Sequence, residues 1–177
     1  MPTSLPELLI PTEQRFLRDV LGCFATGVTI MTARGPNQEP IGLTVNSFNA
    51  VSLEPPLVLW SQNCQSSKAP LFAETAYFAV NILADDQEAI ARQFASKVPD
   101  RFAGVEYHWR AEPECYTELL PESVPLIAGC AAWLICKTSH HYPEGDHIIH
   151  LGQIVRCQFT EKAALLFHRG KFLSSAG

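Results

Sequence analysis

The sequence of 177 residues lacks any apolar run long enough to cross a bilayer. A membrane-spanning helix needs ~20 apolar residues, and the longest apolar stretch here, Leu126 to Cys136, falls well short of that. The apolar N-terminal stretch, Met1 to Ile10, has no basic segment ahead of it and is interrupted by Pro2, Pro6 and Glu7. These features predict a cytoplasmic protein without a membrane span.

Positive charge is also scarce. The sequence has 13 Lys and Arg residues against 18 Asp and Glu residues, and its basic residues are scattered. Binding to a nucleic acid requires a concentrated positive surface that neutralises phosphate groups. We therefore expect no nucleic-acid partner.

No C-x-x-C pair occurs among the six cysteines, which are Cys23, Cys64, Cys115, Cys130, Cys136 and Cys157. Most of them lie inside apolar runs, which is typical of reduced, buried thiols in a cytosolic protein rather than of disulfides or a zinc site. The sequence also lacks G-x-G-x-x-G and G-x-x-x-x-G-K-[ST] phosphate loops, a G-x-S-x-G elbow and an H-E-x-x-H motif. Hydrolysis by a familiar route therefore has little support.

The composition of the sequence is typical of a globular protein. Apolar residues make up 47% of the sequence and charged residues 18%, a composition that supports a sizeable core. A chain of this length suits one core. We therefore interpret residues 1–177 as a single domain.

Two amphipathic helices are predicted. From Thr12 to Cys23, apolar residues recur at helical spacing, and Thr12 is placed to cap the helix. The second helix runs from Asp85 to Ala95, with acidic residues at its start and Phe94 on its apolar face. A shorter helical stretch ends near Glu74.

Most other apolar segments have the β-branched or alternating composition of strands. The predicted strands are Val28 to Thr32, Ile41 to Val45, Ala50 to Leu53, Leu57 to Trp60, Tyr77 to Ile82, Val105 to Trp109, Leu126 to Thr138, His147 to Phe159 and Leu165 to Phe167. Many strands with few helices, and no regular strand-helix alternation, favour a closed antiparallel barrel with peripheral helices over a parallel sheet. The longest segments predict the curvature or bulges that barrel closure needs.

Two polar segments are candidates for binding. From Gly42 to Ser52, hydroxyl and amide side chains interrupt a strand; they suit a flat polar heterocycle, but a solvated sheet edge explains them as well. Gln65, Ser66, Ser67 and Lys68 combine hydroxyls and a cation at a predicted helix start, which suits a phosphate. A plain serine cap with a solvated lysine fits these four residues equally well.

A third candidate is the strand segment from Gly145 to Val155, which contains an acid and two histidines. Because His147 and His150 are three residues apart, they face opposite sides of a regular strand, so one would face a pocket and the other would face outwards. Joint metal binding is therefore disfavoured. Adjacent His140 and His141 also point apart on an extended chain, and we interpret them as part of a solvated loop; no metal site is predicted.

Five groups of residues, taken in order, resemble the short-chain flavin reductase family. They are Phe24 to Thr29, Thr44 to Phe48, Val51 to Pro56, Phe78 to Leu83, and Gly145 to His147 with Gly152. The resemblance covers about Phe16 to Phe172. It implies a mainly β fold with peripheral helices, the flavin-binding antiparallel split β-barrel, and a homodimer. It also implies a role as the reductase component that serves a flavin-dependent monooxygenase.

The resemblance also implies a set of ligand contacts. The residues that would line the isoalloxazine are Thr44, Val45, Asn46, Ser47 and Val51; those that would meet the ribityl phosphate are Gln65, Ser66, Ser67 and Lys68; and those that would approach the rest of the flavin are Phe94 and Ala95. His147 would contact the nicotinamide. The implied reaction passes hydride from NADH or NADPH to FMN or FAD, and the sequence does not choose within either pair.

Two other functions fit the residues. One is a split-barrel protein that holds flavin for electron transfer or storage without turning it over, and the other is a barrel without a cofactor. The Gly145-Asp146-His147 segment argues against a pure flavin holder, because flavin binding alone does not require it.

Overall fold

A computed structural model describes residues 7–110 and 123–176 of the chain. The helices in these ranges are α1 (Gln14–Leu21), α2 (Ala69–Ala73) and α3 (Glu88–Ala95), and a short 3-10 helix, Asp85–Gln87, precedes α3. The strands are β1 (Thr26–Gly27), β2 (Thr29–Arg34), β3 (Pro40–Val45), β4 (Asn49–Leu53), β5 (Pro56–Asn63), β6 (Tyr77–Ile82), β7 (Tyr107–Arg110), β8 (Val124–Ile127), β9 (Ala132–Glu144), β10 (His147–Phe159), β11 (Leu165–His168) and β12 (Lys171–Ser174). The predictions for Cys115 and for most of Met1 to Ile10 concern residues outside the described ranges.

One antiparallel sheet dominates the fold. Its strand order is β3-β2-β6-β9-β10-β5-β4, while β1-β11-β12 and β7-β8 form two smaller sheets. The two ends of the large sheet, β3 and β4, are consecutive in the chain and are joined only by residues 46–48. The sheet must therefore curl until its edges meet, which confirms the predicted mainly β, antiparallel barrel.

The longest hairpin, β9 with β10, carries the predicted irregularities. Its register shifts between Leu151 and Gly152 and again between Ile154 and Arg156. Each shift bends the hairpin, since an unpaired residue increases the local twist. His140 and His141 belong to β9, so the prediction of a solvated loop for them is wrong. Their register partners are Leu151 and His150.

Two further predictions need correction. The segment Leu126 to Thr138 is not one strand, because Gly129 adopts a positive φ of 76° between β8 and β9. Glycine reaches that conformation without steric cost, so the chain turns there. Thr12 does not cap α1; Glu13 occupies the cap position without a side-chain hydrogen bond.

The α1 helix is amphipathic as predicted, but its apolar face does not pack into the core. The exposed apolar side chains on and next to it are Phe16, Leu17, Val20, Leu21 and Phe24. No residue of the helix is buried.

The core consists of two main apolar clusters. One surrounds Trp60, Phe72 and Phe78 inside the large sheet. The other contains Phe94 of α3, which packs edge-on against Phe102 with ring centroids 4.8 Å apart.

A glycine in β3 allows the helix α3 to pack closely on the sheet. A Cβ placed on Gly42 would stand 2.7 Å from Cε1 of Phe94. That separation is too short for a side chain, so glycine at this position lets the Phe94 ring enter the core.

The described cysteines are all free thiols, as predicted, but only some are buried. Cys130 and Cys136 lie in the interior, and burial raises the pKa of each thiol to about 12. Cys23, Cys64 and Cys157 are exposed, so the prediction of burial is wrong for these three. Within residues 7–110 and 123–176, no helix is long and apolar enough to cross a membrane.

Candidate functional site

An open cleft of about 1280 Å³ is formed by α1 and the residues after it, the segment after β3, and the turn before β10. Two predicted site residues, Asn46 and His147, line it together. They are 101 positions apart in the sequence, and the sheet brings them to one place.

The strand register explains this proximity. His147 at the start of β10 is paired with Asn63 at the end of β5, and the Cys64 N–H donates to the Asp146 carbonyl at 2.9 Å. The segment after β3 is fixed to the same strand, because the Ser47 hydroxyl donates to the Ser61 carbonyl at 2.8 Å and accepts from the Ser61 N–H at 3.0 Å. β5 therefore connects the two sides of the cleft.

His147 and Asp146 form a hydrogen-bonded pair at the cleft. The His147 Nδ1 lies 2.6 Å from the Asp146 Oδ1, and the two side chains are 43% and 82% exposed. The hydrogen bond to His147, followed by the electrostatic attraction of that ring and of Arg18, lowers the pKa of the Asp146 carboxyl. Because a carboxylate can only accept, Nδ1 of His147 is the donor of this hydrogen bond.

A polar atom without a partner lies at another part of the cleft. The hydroxyl of Thr26 is buried and has no hydrogen bond to any described residue. Thr26 lines the cleft and is paired with Phe167 across β1 and β11. Since an unsatisfied buried hydroxyl is unfavourable, its position indicates a ligand or water that completes its hydrogen bonding.

The remaining surface of the cleft is largely apolar. Leu17, Leu21 and Phe24 contribute from α1 and the residues after it, and Phe167 contributes from β11. The Phe167 ring packs edge-on against Phe172 of β12, with centroids 5.2 Å apart. A flat molecule with a polar edge would therefore meet both apolar contact area and hydrogen-bonding groups.

The predicted phosphate segment lies outside the residues that line this cleft. The Gln65 N–H donates to the Asn63 Oδ1 at 2.8 Å, and Ser66 Oγ accepts from the Lys68 N–H at 3.3 Å. Ser67 and Gln65 are exposed, and Lys68 is the residue before α2. The segment is joined to the cleft through Asn63, which lines it.

The predicted isoalloxazine residues occupy varied environments. Thr44 donates its hydroxyl to the Ala91 carbonyl of α3 at 2.7 Å, and Val45 is buried in the core. Asn46 is exposed, Ser47 is held by β5, and Val51 is 48% exposed on the edge strand β4. Of these five residues, Asn46 alone lines the cleft.

Phe94 and Ala95 lie at the end of α3. The Phe94 ring is fully buried, whereas Ala95 is exposed as the last residue of the helix. A ligand reaching this end of α3 would therefore meet Ala95 and the backbone rather than the Phe94 ring.

Sequence reasoning missed several cleft residues. Thr26 lies within the Phe24 to Thr29 segment that carries part of the family resemblance, so the signal was present. Arg18 and Cys23 belong to the segment predicted as the first amphipathic helix, where no site residue was named. Arg169 comes from a hairpin whose second strand, β12, was not predicted.

Comparisons by sequence and by structure both match this chain to flavin reductases. Residues 21–176 match the model of the flavin reductase like domain. The FMN reductase (NADH) SmoA of Agrobacterium fabrum is 39% identical over 160 residues, covering 90% of this chain and 85% of that protein. The reductase component of the flavin-dependent trigonelline monooxygenase of Acinetobacter baylyi is 38% identical, and the chain spans 49% of its length.

A solved structure agrees closely with the fold. The NADH:FAD oxidoreductase SgcE6 of Streptomyces globisporus, in complex with NAD and FAD fragments, superposes with a TM-score of 0.84 at 36% identity. The match covers 95% of this chain and 96% of SgcE6.

Proposed function

The chain belongs to the flavin reductase-like domain family and reduces flavin with NADH, and we propose that the reaction takes place in the cleft lined by Asn46 and His147. The observation that carries this location is the meeting of Asn46, His147 and the unpartnered Thr26 hydroxyl in one cleft. Each of them belongs to one of the segments on which the family resemblance depends.

The residues present fit a flavin. An isoalloxazine is flat and apolar on its faces, and it carries carbonyl and nitrogen atoms along one edge. The cleft offers apolar side chains such as Leu17 and Phe167, and its polar groups include the Asn46 amide and the Thr26 hydroxyl. Because that hydroxyl is buried without a partner, a polar ring edge would satisfy it.

The bound flavin supplies the hydride acceptor and NADH supplies the hydride, so the protein contributes binding, orientation and electrostatics. Asp146 holds the His147 ring by its Nδ1–H, which fixes both the rotation of the ring and the direction of Nε2. From this position we assign His147 to binding the nicotinamide.

We assign the remaining predicted contacts to the flavin. Thr44 to Ser47 and Val51 would lie along the ring system, Gln65 to Lys68 would hold the phosphate, and Ala95 with the backbone of Phe94 would approach the rest of the molecule. The firm anchoring of Ser47 to Ser61 supports the first assignment, because a fixed backbone costs no ordering on binding. The positive charge of Lys68 supports the second.

The exposed apolar face of α1 supports a homodimer as part of the proposal. The face of α1 leaves Phe16, Leu17, Val20 and Leu21 exposed, and such an apolar face is unfavourable in water unless another surface covers it. A second copy of the chain is the proposed partner for the part of this face around Phe16, which does not line the cleft. Light scattering after size-exclusion chromatography should give a molar mass twice that of one chain. In Phe16→Glu the measured mass should fall towards that of a single chain. A wild-type chain that elutes as a monomer would contradict this part of the proposal.

The proposal also covers the domain organisation, the acceptor of the reduced flavin and the cellular location. The whole chain, residues 1–177, acts as one domain with its core between about 16 and 172, and the family match over residues 21–176 supports this. The reduced flavin passes to a monooxygenase, and the name of the Acinetobacter relative, the reductase component of a flavin-dependent monooxygenase, supports this. A cytoplasmic location is supported by the free thiols of all described cysteines.

The activity is tested by mixing the purified protein with NADH and free FMN or FAD and following the loss of nicotinamide absorbance. We expect oxidation that depends on added flavin, and a parallel reaction with NADPH measures the preference for the donor. A protein that binds flavin but oxidises neither donor would instead be a flavin carrier. A colourless protein that binds no flavin would be a barrel without this function.

A further inference from the structure

Arg169 has an unusual backbone conformation at the edge of the cleft. It lies in the turn between β11 and β12 with a φ of 47°, and the next residue, Gly170, has a φ of 77°. A non-glycine residue in this left-handed region is strained unless the surroundings hold it there. Two-residue hairpin turns take positive φ at both central positions, so the β11–β12 turn holds Arg169 in this conformation and sets where its side chain starts.

The turn is held against the end of α1. The Arg169 N–H donates to the Gly22 carbonyl at 3.0 Å, and its Nη2 lies 3.2 Å from the sulfur of Cys23. All three residues line the cleft. The backbone of the turn is therefore held at the wall of the cleft, and the exposed guanidinium lies beside Cys23.

The charges around Arg169 leave it available to an anion. Within the described residues, no carboxylate lies within ion-pair distance of Arg169 or of Arg18, the other cation of the cleft. Two of the described acidic residues line the cleft: Asp146 is engaged with His147, and Asp19 forms no ion pair with Arg169. A cysteine sulfur is a weak acceptor, and this contact uses one nitrogen of the guanidinium, so most of its donors are unused.

A guanidinium with free donors is suited to phosphate, because its planar fork can bind two oxygens at once. Both reactants of a flavin reductase carry phosphate groups. Arg169 shares its cleft with His147, whereas Gln65 to Lys68, the segment assigned to the flavin phosphate, lies outside it. This separation favours the nicotinamide donor.

We propose that Arg169 binds the pyrophosphate of NADH and so positions the donor whose nicotinamide contacts His147. The inference rests on the proposed function and adds to it a residue that selects donors bearing phosphate. The side chain acts in binding rather than in the transfer of hydride.

The test compares donors with and without phosphate. Arg169→Gly removes the guanidinium and suits the left-handed turn, so we expect no loss in the midpoint of thermal unfolding. Its kcat/KM should fall about tenfold with NADH but stay unchanged with dihydronicotinamide riboside, which has no phosphate. The kcat/KM of Arg169→Lys with NADH should lie between the values of the wild type and Arg169→Gly. Lys171→Ala removes a cation from the same hairpin outside the cleft and should match the wild type.

Inhibition of NADH oxidation provides a second measurement, which does not require turnover of dihydronicotinamide riboside. The inhibition constant of ADP-ribose, which keeps the pyrophosphate, should rise about tenfold in Arg169→Gly, while that of adenosine should not change. An ADP-ribose constant equal to that of the wild type would overturn the proposal. So would a defect that disappears when riboflavin replaces FMN, because the phosphate involved would then belong to the flavin. A wild-type protein without flavin-dependent NADH oxidation would contradict the proposed function itself.

Discussion

Two histidines three positions apart on β10 occupy opposite environments. His147 is 43% exposed by its side chain, hydrogen-bonds to Asp146 and lines the cleft. His150 is 1% exposed and stacks on Trp60 with ring centroids 4.1 Å apart and planes at 11°. Successive residues of a strand alternate between its faces, so this spacing alone separates the two roles. Position on the strand therefore decides whether each imidazole binds a ligand or packs in the core.

The surroundings of His150 favour a neutral ring. Burial, followed by the proximity of His141, lowers the pKa of His150 to about 4. Its Nε2 is buried without a partner among the described residues, and the same holds for Nε1 of Trp60. The prediction that one of the two histidines faces outwards is wrong for His150, which faces the core because the Trp60 cluster covers its strand there.

The largest predicted effect separates the two histidines by stability. His150→Ala removes the stacked ring and leaves a cavity, so we expect the free energy of unfolding to fall by about 3 kcal/mol. His147→Ala, on the exposed face, should change it by no more than about 0.5 kcal/mol. Urea denaturation measures both values. Similar losses in the two variants would mean that His150 is not the buried member of the pair.

The next prediction concerns pH. The folded protein binds the His150 proton only below about pH 4, whereas the unfolded chain binds it below its ordinary pKa of 6.5. Between these values the unfolded state holds more protons, so stability falls as the pH is lowered through this window. At pH 5 this single group should destabilise the fold by about 2 kcal/mol relative to pH 7.

Other groups also titrate in this range, and a matched variant isolates the contribution of His150. His150→Phe keeps a ring that can stack on Trp60 but carries no proton. Its free energy of unfolding should therefore depend on pH less steeply than that of the wild type between pH 7 and pH 5. Equal slopes in chemical denaturation would show that His150 does not titrate as described.

The smallest effect tests the exposed histidine. His147→Ala should raise the KM for NADH about tenfold, equivalent to about 1.4 kcal/mol, because it removes a proposed contact to the nicotinamide. The dissociation constant for flavin, measured by fluorescence quenching, should change by no more than about twofold. If neither constant changes, His147 does not contact the donor.

Much of the fold could be predicted from the sequence. The strand β6, Tyr77–Ile82, and the strand β10, His147–Phe159, begin and end where the apolar pattern predicted. Both strands are rich in apolar residues, and Gly145 and Asp146 mark the turn before β10. The break at Gly129 was missed, because a single glycine within an apolar run does not reveal its backbone conformation.

The candidate site was less accessible to sequence reasoning. Asn46 and His147 were named because they lie within recognisable motifs. Arg169 and Thr26 reach the cleft through the pairing of β11 with β12 and with β1, and these short strands carry almost no periodic signal. The exposed face of α1 was also missed, since a helical period predicts an apolar face but not what covers it.

The central claim, that flavin is reduced in the cleft of Asn46 and His147, is tested most directly by filling that cleft. Asn46→Trp places a large ring at an exposed position that lines it, and Asn37→Trp places the same ring in the exposed turn between β2 and β3 as a control. The measurement is the rate of flavin-dependent NADH oxidation, with thermal unfolding as a check on the fold. We predict that Asn46→Trp loses most of this rate at an unchanged unfolding midpoint while Asn37→Trp retains it; a fully active Asn46→Trp protein would contradict the account.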